Sequence, residues 1–206
     1  MSGGPAAAGC PACGAPLAPW PGAGEPAPGF DPFFQVAPGG RVFRHRECAA
    51  CGLLATAPTP TDAELAEVYG GRYDFAWFQR RRALKRLQAR HRWWRLRRWR
   101  GSSAAPGAAT PRLLDIGAGQ GDFVRCARRA GWDAVGLDPA APGEADDAVR
   151  RGGVEALAAL SGPFQLITFW HCLEHLPAPR AALADAARLL APGGRLISPS
   201  STRGKR

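Results

Sequence analysis

Residues 113–123 read Leu-Leu-Asp-Ile-Gly-Ala-Gly-Gln-Gly-Asp-Phe. The apolar run at the start is typical of a buried parallel strand. From Phe123 to Ala130 apolar side chains recur at the three-to-four spacing of a helix, which Gly131 should end. The three glycines between these segments let the chain turn sharply and let a ligand approach the backbone. The stretch therefore predicts a strand, a nucleotide-binding loop and a helix.

The spacing of the glycines distinguishes two kinds of nucleotide loop. A dinucleotide loop has two residues between its second and third glycines. Here the pattern is Gly-x-Gly-x-Gly after an acid, and Asp122 occupies the position where a dinucleotide loop has its third glycine. A negative side chain in the first helical turn also disfavours a pyrophosphate at that point. The next apolar strand ends in Asp138, about twenty residues after the loop, where a doubly wound fold places the carboxylate that binds a ribose. We expect a ribose-containing ligand without phosphate.

Three later segments follow in order, at 135–139, 164–176 and 189–197. Together with 113–123 they resemble the successive motifs of class I S-adenosylmethionine-dependent methyltransferases. The resemblance implies an α/β fold with a Rossmann-like, doubly wound sheet and S-adenosyl-L-methionine as the cofactor. The cofactor-binding residues that it implies are Asp115, Ile116, Gly117, Ala118, Gly119, Gln120, Gly121 and Asp138. Asp115 would pair with the ammonium group of the cofactor, and Asp138 would hold the ribose hydroxyls.

Two further candidates depend on the same resemblance. Glu155 is the best available acid for the adenine side of the site, although a surface position at the start of the next helix explains it equally well. His171 follows the fourth buried strand of the domain, so it should lie near the methyl group and take a proton from the acceptor. The alternative is that His171 only shapes the pocket. Residues 171–175 also match an inverted zinc-protease motif, but Pro177 would break the helix that such a motif requires.

Two Cys-x-x-Cys-Gly turns near the N-terminus indicate a metal site formed by Cys10, Cys13, Cys48 and Cys51. Four thiolates complete a closed tetrahedral site for structural Zn²⁺, and a small domain with few large apolar side chains needs such support. Disulfides are the alternative. The chain has no export signal, so we expect a cytoplasmic, reducing location, which favours metal. The resemblance extends to bacterial methyltransferases that carry an N-terminal zinc ribbon.

The formal net charge of +10 is unevenly distributed along the 206 residues. Eleven of the 27 basic residues lie between Gln79 and Arg100, without an acid, and the remaining 16 are balanced by 17 acids. This segment, the basic helix, suggests an anionic partner, either a nucleic acid or an anionic membrane surface. The simpler interpretation is a connecting helix with solvated arginines, which packs on the methyltransferase domain through a stripe of Leu84, Leu87, His91 and Trp94.

The sequence predicts three regions, namely a zinc ribbon at 1–60, a helical connector at 61–111 with the basic helix at 77–100, and a methyltransferase domain at 112–206. Thr61 and Glu64 have the spacing of a capping box at the start of the connector. The family normally continues with two strands and a helix beyond the fifth strand, so we expect an open sheet edge. A truncated gene product, a partner or second subunit that covers the edge, and a degenerate protein that binds without catalysis are the three explanations. No apolar run is long enough to predict a membrane span.

The function predicted from these features is methyl transfer from S-adenosyl-L-methionine to an unidentified small-molecule acceptor, of the sugar or secondary-metabolite type. Two alternatives stay open at this point. One is a noncatalytic, zinc-dependent protein that binds RNA or acts as a scaffold through the basic helix. The other is methylation of RNA itself.

Overall fold

The computed structural model describes residues 9–20, 43–61, 63–64, 82–96, 109–141, 147–176 and 178–199. The chain divides into two compact units, Met1–Phe75 with Pro177–Arg180 and Ala76–Leu176 with Ala181–Arg206. The ends of the predicted basic helix and the tail from 200 onward lie outside the described residues.

The first unit contains a small antiparallel sheet of β1 (Leu17–Pro19), β2 (Arg44–Cys48) and β3 (Leu54–Ala57), with β2 in the middle. In register, Leu17 lies opposite Cys48, and Glu47 lies opposite Leu54. One Cys-x-x-Cys turn precedes β1 and the other connects β2 to β3. The sheet therefore brings together two cysteine pairs that are far apart in sequence.

The predicted capping box at Thr61 is confirmed. The backbone N–H and the hydroxyl of Thr61 donate to Oε2 of Glu64 at 2.7 and 2.9 Å, and the N–H of Glu64 donates to Oγ1 of Thr61 at 3.3 Å. Residues 63 and 64 are already helical. The reciprocal bonds satisfy backbone donors that the start of a helix would otherwise leave without partners.

The second unit is built on a parallel sheet of five strands in the order β6-β5-β4-β7-β8. These strands are β4 (Arg112–Ile116), β5 (Asp133–Asp138), β6 (Val149–Arg151), β7 (Phe164–Phe169) and β8 (Leu190–Ile197). The helices are α1 (Arg82–Leu96), α2 (Asp122–Arg129) and α3 (Pro179–Arg188). The chain runs outward from β4 to β6 and then returns to β7 on the other side of β4. The predicted Rossmann-like, doubly wound fold is confirmed, and its switch point lies between β4 and β7.

Both faces of the sheet are covered by apolar side chains. Leu113 belongs to a core with Phe123, Val124 and Ala127 of α2, whereas the adjacent Leu114 belongs to a core on the other face. The second core includes Ile116, Leu137, Phe164, Ile167, Phe169, and Ala182 and Ala186 of α3. Because successive side chains of a strand point to opposite faces, a strand buried on both sides needs a continuous apolar run. Residues 113–116 satisfy this requirement, with Asp115 as the exception.

Helix α1 packs through a different face from the one expected. Its buried residues are Ala89 and Leu96, and the ring of Trp93 lies between those of Phe123 and Trp132, with centroids 5.8 Å from each. The predicted packing stripe faces outward, since Leu84, Leu87 and Trp94 are 46%, 61% and 55% exposed. The small side chain of Ala89 lets the helix approach its neighbours on this side, and the two aromatic residues hold Trp93 there. The expectation that Leu84, Leu87, His91 and Trp94 pack on the domain was therefore wrong.

The third strand of the domain, β6, is short and ends at Arg151, and a 3₁₀ helix occupies Val154–Ala159. The chain therefore leaves the sheet at Gly152. At the other edge of the described sheet, β8 pairs only with β7. None of the described helices is both long and apolar enough to cross a membrane.

Gly136 of β5 has no room for a side chain. A Cβ there would lie 2.5 Å from Cβ of Ala118 and 3.2 Å from methyl carbons of Val124 and Val149. We expect Gly136→Ala to lower the free energy of unfolding by about 1–3 kcal/mol, because it overpacks the contact between strand and loop. Urea unfolding followed by fluorescence would measure this loss.

The matched control adds Ala118→Gly to the same variant, which removes the closest of the three contacts. The double variant should recover part of the lost stability. A single variant as stable as the wild-type protein would contradict the prediction.

Candidate functional site

The glycine loop between β4 and α2 turns back over the end of β5. Its backbone is left-handed at the three glycines, Gly117, Gly119 and Gly121, with φ of 72°, 56° and 75°. The N–H groups of Gly117 and Ala118 donate to the carbonyl oxygen of Leu137 at 2.8 and 3.0 Å. These φ values favour glycine, as the sequence predicted. A Cβ on Gly117 would also lie 2.6 Å from Sγ of Cys172, so the chain after β7 closes against the loop.

Asp138, the predicted ribose acid, is hydrogen-bonded to this loop. Its Oδ2 accepts from the N–H of Gly119 at 2.7 Å, and its Oδ1 accepts from the N–H of Ala140 at 2.9 Å. Each carboxylate oxygen can accept a second hydrogen bond. Asp138 is the last residue of β5 and is half-buried, so it lies at the carboxyl edge of the sheet where nucleotide-type ligands bind.

Asp115 is buried inside the sheet, with an exposed fraction of only 2%. Its Oδ1 accepts a hydrogen bond of 2.6 Å from the hydroxyl of Thr168 on β7. Burial raises the pKa of Asp115 to about 7, although Thr168 and the positive charge of Arg92 act in the opposite direction. A cation brought next to this carboxyl group would favour its ionised form. The sequence predicted Asp115 but missed Thr168, for which the one signal was a polar residue among the apolar side chains at the end of β7.

Arg92 is a second residue that sequence analysis did not connect with the site. Its guanidinium carbon lies 4.7 Å from the ring centroid of Trp170, the residue that follows β7. Burial lowers the pKa of Arg92, and the negative charge of Asp115 opposes this effect. Helix α1 thus places the positive charge of Arg92 against the parallel sheet, in addition to its exposed charges.

His171 has a strained backbone at the carboxyl end of β7. Its φ is 52°, and it is the one described residue other than glycine with a positive φ. Such strain costs on the order of 1–3 kcal/mol and is most common at functional sites. The side chain is exposed, and its Nδ1 lies 3.6 Å from Oε1 of Glu174, which the sequence analysis did not select. The residue after His171, Cys172, is the one that closes against the glycine loop.

The protease alternative at 171–175 is excluded by the local structure. These residues form only a short 3₁₀ turn, Leu173–His175, so no helix presents the two histidines side by side. In the part of the chain that the structure describes, the one group of three or more candidate metal ligands is the cysteine cluster of the first unit. Residues 171–175 therefore lack the geometry of an inverted zinc-protease site.

The remaining predicted residues occupy the same edge of the sheet. Glu155 is exposed, and its Oε1 accepts a hydrogen bond of 2.6 Å from the N–H of Gly153, at the start of the 3₁₀ helix. The preceding Gly152 donates to the carbonyl oxygen of Asp138 at 3.2 Å, so this turn adjoins the ribose acid. Ile116 is the buried last residue of β4, and the carbonyl oxygen of Gln120 accepts from the guanidinium of Arg125.

The four predicted metal ligands of the first unit form one cluster. The sulfurs of Cys10 and Cys51 are 3.6 Å apart, those of Cys13 and Cys48 are 3.5 Å apart, and all four lie within 4.8 Å of one another. Zn–S bonds of about 2.3 Å in a tetrahedral site would place the sulfurs about 3.8 Å apart. The cluster can therefore hold a tetrahedral metal ion, as the sequence predicted.

The two cysteine turns have the same backbone geometry. The N–H groups of Gly14 and Gly52 donate to the carbonyl oxygens of Cys10 and Cys48, both at 2.8 Å. A hydrogen bond from the backbone of Cys51 lowers the pKa of the Cys48 thiol to about 7. A thiolate, the form that binds metal, is therefore favoured at Cys48 before any cation is bound. At Cys13 and Cys51 backbone donors act in the same direction, but hydrogen bonds with the neighbouring thiols and burial raise the pKa, to about 12 for Cys51.

The comparisons with known proteins identify the family of the chain. Residues 77–202, more than half of the chain, match the family model described as a methyltransferase domain. The chain belongs to the methyltransferase domain family. The match includes helix α1 and the whole parallel sheet, and it excludes the cysteine cluster.

Curated relatives of this methyltransferase domain share about a third of the aligned residues. A ubiquinone biosynthesis O-methyltransferase from Methylococcus capsulatus is 33% identical over 98 residues, which is 42% of this chain and 41% of the relative. The protein of the same name from Psychrobacter arcticus is 35% identical over 106 residues, which is 45% of this chain and 41% of the relative. The chain therefore spans well under half the length of these relatives.

Solved structures of methyltransferases align over a similar portion. The glycopeptide N-methyltransferase MtfA has a TM-score of 0.39 and 21% identity, covering 55% of this chain and 52% of its own. The plantazolicin methyltransferase BpumL in complex with SAH has a TM-score of 0.41 and 15% identity, covering 62% of this chain and 53% of its own.

Because burial raises the pKa of Asp115 above that of an unfolded chain, the folded protein binds its proton more tightly than the unfolded chain does. Stability should therefore fall as the pH rises from about 4 to about 7 and then level off. Asp115→Asn removes this dependence. Between pH 5 and pH 8 the stability of the variant relative to wild type should increase by on the order of 2–3 kcal/mol.

Urea midpoints measured across this pH range would test the prediction. Thr168→Val is the matched variant, since it removes the hydroxyl that lowers the pKa of Asp115 and should extend the decline in stability to higher pH. Parallel pH profiles for wild type and Asp115→Asn would show that Asp115 titrates in its ordinary range.

Proposed function

We propose that this chain transfers a methyl group from S-adenosyl-L-methionine to a small-molecule acceptor. The observation that carries the proposal is the half-buried carboxylate of Asp138, which is hydrogen-bonded to Gly119 of the glycine loop at the carboxyl edge of the parallel sheet. Membership of the methyltransferase domain family supports the same reaction class.

The residues present fit this cofactor. A loop of left-handed glycines lets a ligand approach the backbone, and no described atom lies within 4 Å of the position that a Cβ on Gly119 would occupy. Asp138 would accept hydrogen bonds from the ribose hydroxyls through the second lone pairs of its oxygens. Asp115 would face the ammonium group, which would stabilise the ionised carboxylate that burial otherwise disfavours. Glu155 would take the adenine side.

His171 is the proposed general base. When bound, S-adenosyl-L-methionine supplies a methyl group already activated on a positively charged sulfur, so the protein has to position and deprotonate the acceptor. Glu174 lies within ion-pair distance of Nδ1 of His171 and would hold a proton on that nitrogen. The other nitrogen, Nε2, would then be available to take the proton of the acceptor.

The acceptor that this arrangement suits best is a hydroxyl group of a small molecule. A hydroxyl must lose its proton as the new bond to carbon forms, which gives the base at 171 a function. The curated relatives are named O-methyltransferases, which supports an oxygen acceptor. Within this class, sugars and secondary metabolites are the acceptors that we propose.

We also propose that the cysteine cluster holds one structural Zn²⁺. Its sulfurs already lie near the separation that tetrahedral coordination requires, and the backbone favours a thiolate at Cys48. The described cysteines are free thiols, which suits the reducing cytoplasmic location that we propose. The ion would join the turn before β1 to the turn after β2 and so stabilise the small sheet.

Calorimetric titration of the zinc-loaded protein with S-adenosylhomocysteine tests the cofactor site. We expect micromolar binding that Asp138→Ala weakens at least about tenfold, because charge-assisted hydrogen bonds to the ribose are lost. Asp133→Ala is the matched control, since Asp133 is an exposed acid at the opposite end of the same strand and should leave the affinity unchanged.

His171→Gln and Glu174→Gln should also bind S-adenosylhomocysteine normally, because their proposed roles concern the acceptor. If His171→Gln loses the cofactor, the proposed role of a general base is wrong. If the folded wild-type protein fails to bind S-adenosylhomocysteine, the noncatalytic alternative is favoured over the methyltransferase.

The zinc proposal predicts one equivalent of Zn²⁺ per chain, measured by elemental analysis of the purified protein and by its release on thiol modification. Cys48→Ser should lower the zinc content well below one equivalent and unfold the small sheet, since binding of this kind supplies on the order of 10 kcal/mol to folding. Cys126→Ser is the control, because Cys126 lies in α2, outside the cluster. Full zinc content in Cys48→Ser would contradict the assignment.

A further inference from the structure

Helix α1 has an apolar outer face. The outer stripe, defined as Leu84, Leu87, His91 and Trp94, has spacings of three, four and three residues, which place all four side chains on one side of the helix. Leu87 and Trp94 are more than half exposed, and the rings of His91 and Trp94 stack with centroids 6.1 Å apart. A helix packed on a domain normally buries its apolar side chains, so the exposed outer stripe is a candidate docking surface.

Arginines border the outer stripe on both sides. At 100° per residue, Arg86 and Arg90 lie along one side and Arg95 along the other. No acid occurs in α1, and Asp122 is the one described carboxylate within ion-pair distance of these three arginines, at 3.9 Å from Arg86. The surface therefore combines a narrow apolar strip with positive charge along its borders, which Asp122 alone offsets among the residues that the structure describes.

We propose that the outer stripe docks on the surface of an anionic lipid bilayer. The two leucines and Trp94 would enter the boundary between headgroups and acyl chains, which removes their apolar surface from water. The bordering arginines would extend their guanidinium groups to the lipid phosphates. This surface lies on the helix face opposite Ala89 and Leu96, so docking leaves the packing of α1 intact.

The charge and shape of the stripe disfavour two other occupants. A second copy of the chain would bring arginines against arginines, with no acid in α1 to offset the repulsion. A nucleic acid would engage the arginines and the aromatic rings, but it would leave the outermost leucines in water. An anionic bilayer would both remove the apolar strip from water and place phosphates beside the arginines at its borders. The inference is independent of the proposed methyl transfer, because it uses neither the glycine loop nor His171.

Co-sedimentation of the zinc-loaded full chain with lipid vesicles tests the proposal. The probes are vesicles of phosphatidylcholine alone and vesicles containing about one third phosphatidylglycerol. We expect binding to the anionic vesicles that weakens with salt, and little binding to the neutral ones. Leu87→Ser should weaken binding at least about fivefold, and Arg90→Gln about fivefold.

Two matched controls separate this surface from general effects. Leu54→Ser removes another exposed leucine, from β3, and Arg129→Gln removes an exposed charge from α2. Both should bind vesicles like the wild type, and circular dichroism would confirm that all variants are folded. Equal binding by Leu87→Ser and Leu54→Ser would overturn the proposal.

Binding of single-stranded RNA tests for a nucleic-acid partner, and sedimentation velocity tests for a dimer. The proposal is overturned if the protein does not bind anionic vesicles but binds a short RNA, and if Arg90→Gln abolishes the RNA binding. It is also overturned if the protein forms a dimer that Leu87→Ser dissociates while vesicle binding is absent. Vesicle binding that an excess of the RNA does not displace supports it.

Discussion

The hydrogen bonds that tie the glycine loop to β5 are the constraint on which the site depends. The carbonyl oxygen of Leu137 accepts from the first two residues of the loop, and the carboxylate of Asp138 accepts from Gly119. These bonds require the loop to pass directly over the strand. Beneath Ala118 of the loop, only a glycine fits at position 136. The position of the ribose acid and the shape of the loop are therefore set by the same contacts.

The buried carboxyl group of Asp115 is the costly part of this arrangement. A well-packed apolar residue would stabilise β4 more than an acid does, because burial disfavours the ionised form. The hydroxyl of Thr168 and the charge of Arg92 offset only part of this cost, since the pKa stays near 7. An acid retained at such a position is understandable if a cationic group of the ligand completes its surroundings. The site is thus prepared for positive charge, which is what the proposed cofactor carries.

The sequence predicted the parts of the structure that depend on local pattern. The strand, loop and helix at 113–130, the acid at the end of β5 and the cysteine turns all follow from spacing and from residue type. The prediction failed for the packing face of α1, because apolar residues at helical spacing occur on more than one side of this helix. The buried face is set by Ala89 and by the contacts of Trp93 with Phe123 and Trp132. The prediction also missed Thr168 and Arg92, because their relation to Asp115 arises only when β7 and α1 are brought beside β4.

Helix α1 links the two proposals through its opposite faces. Arg92 points toward the sheet, where its charge acts on Asp115, whereas Leu87 and Trp94 are exposed on the other side. A bilayer bound at the outer stripe would therefore not compete with a ligand at the glycine loop. Because Trp93 and Arg92 fix α1 against residues of α2 and the end of β7, docking would hold the methyltransferase domain at the lipid surface in one orientation.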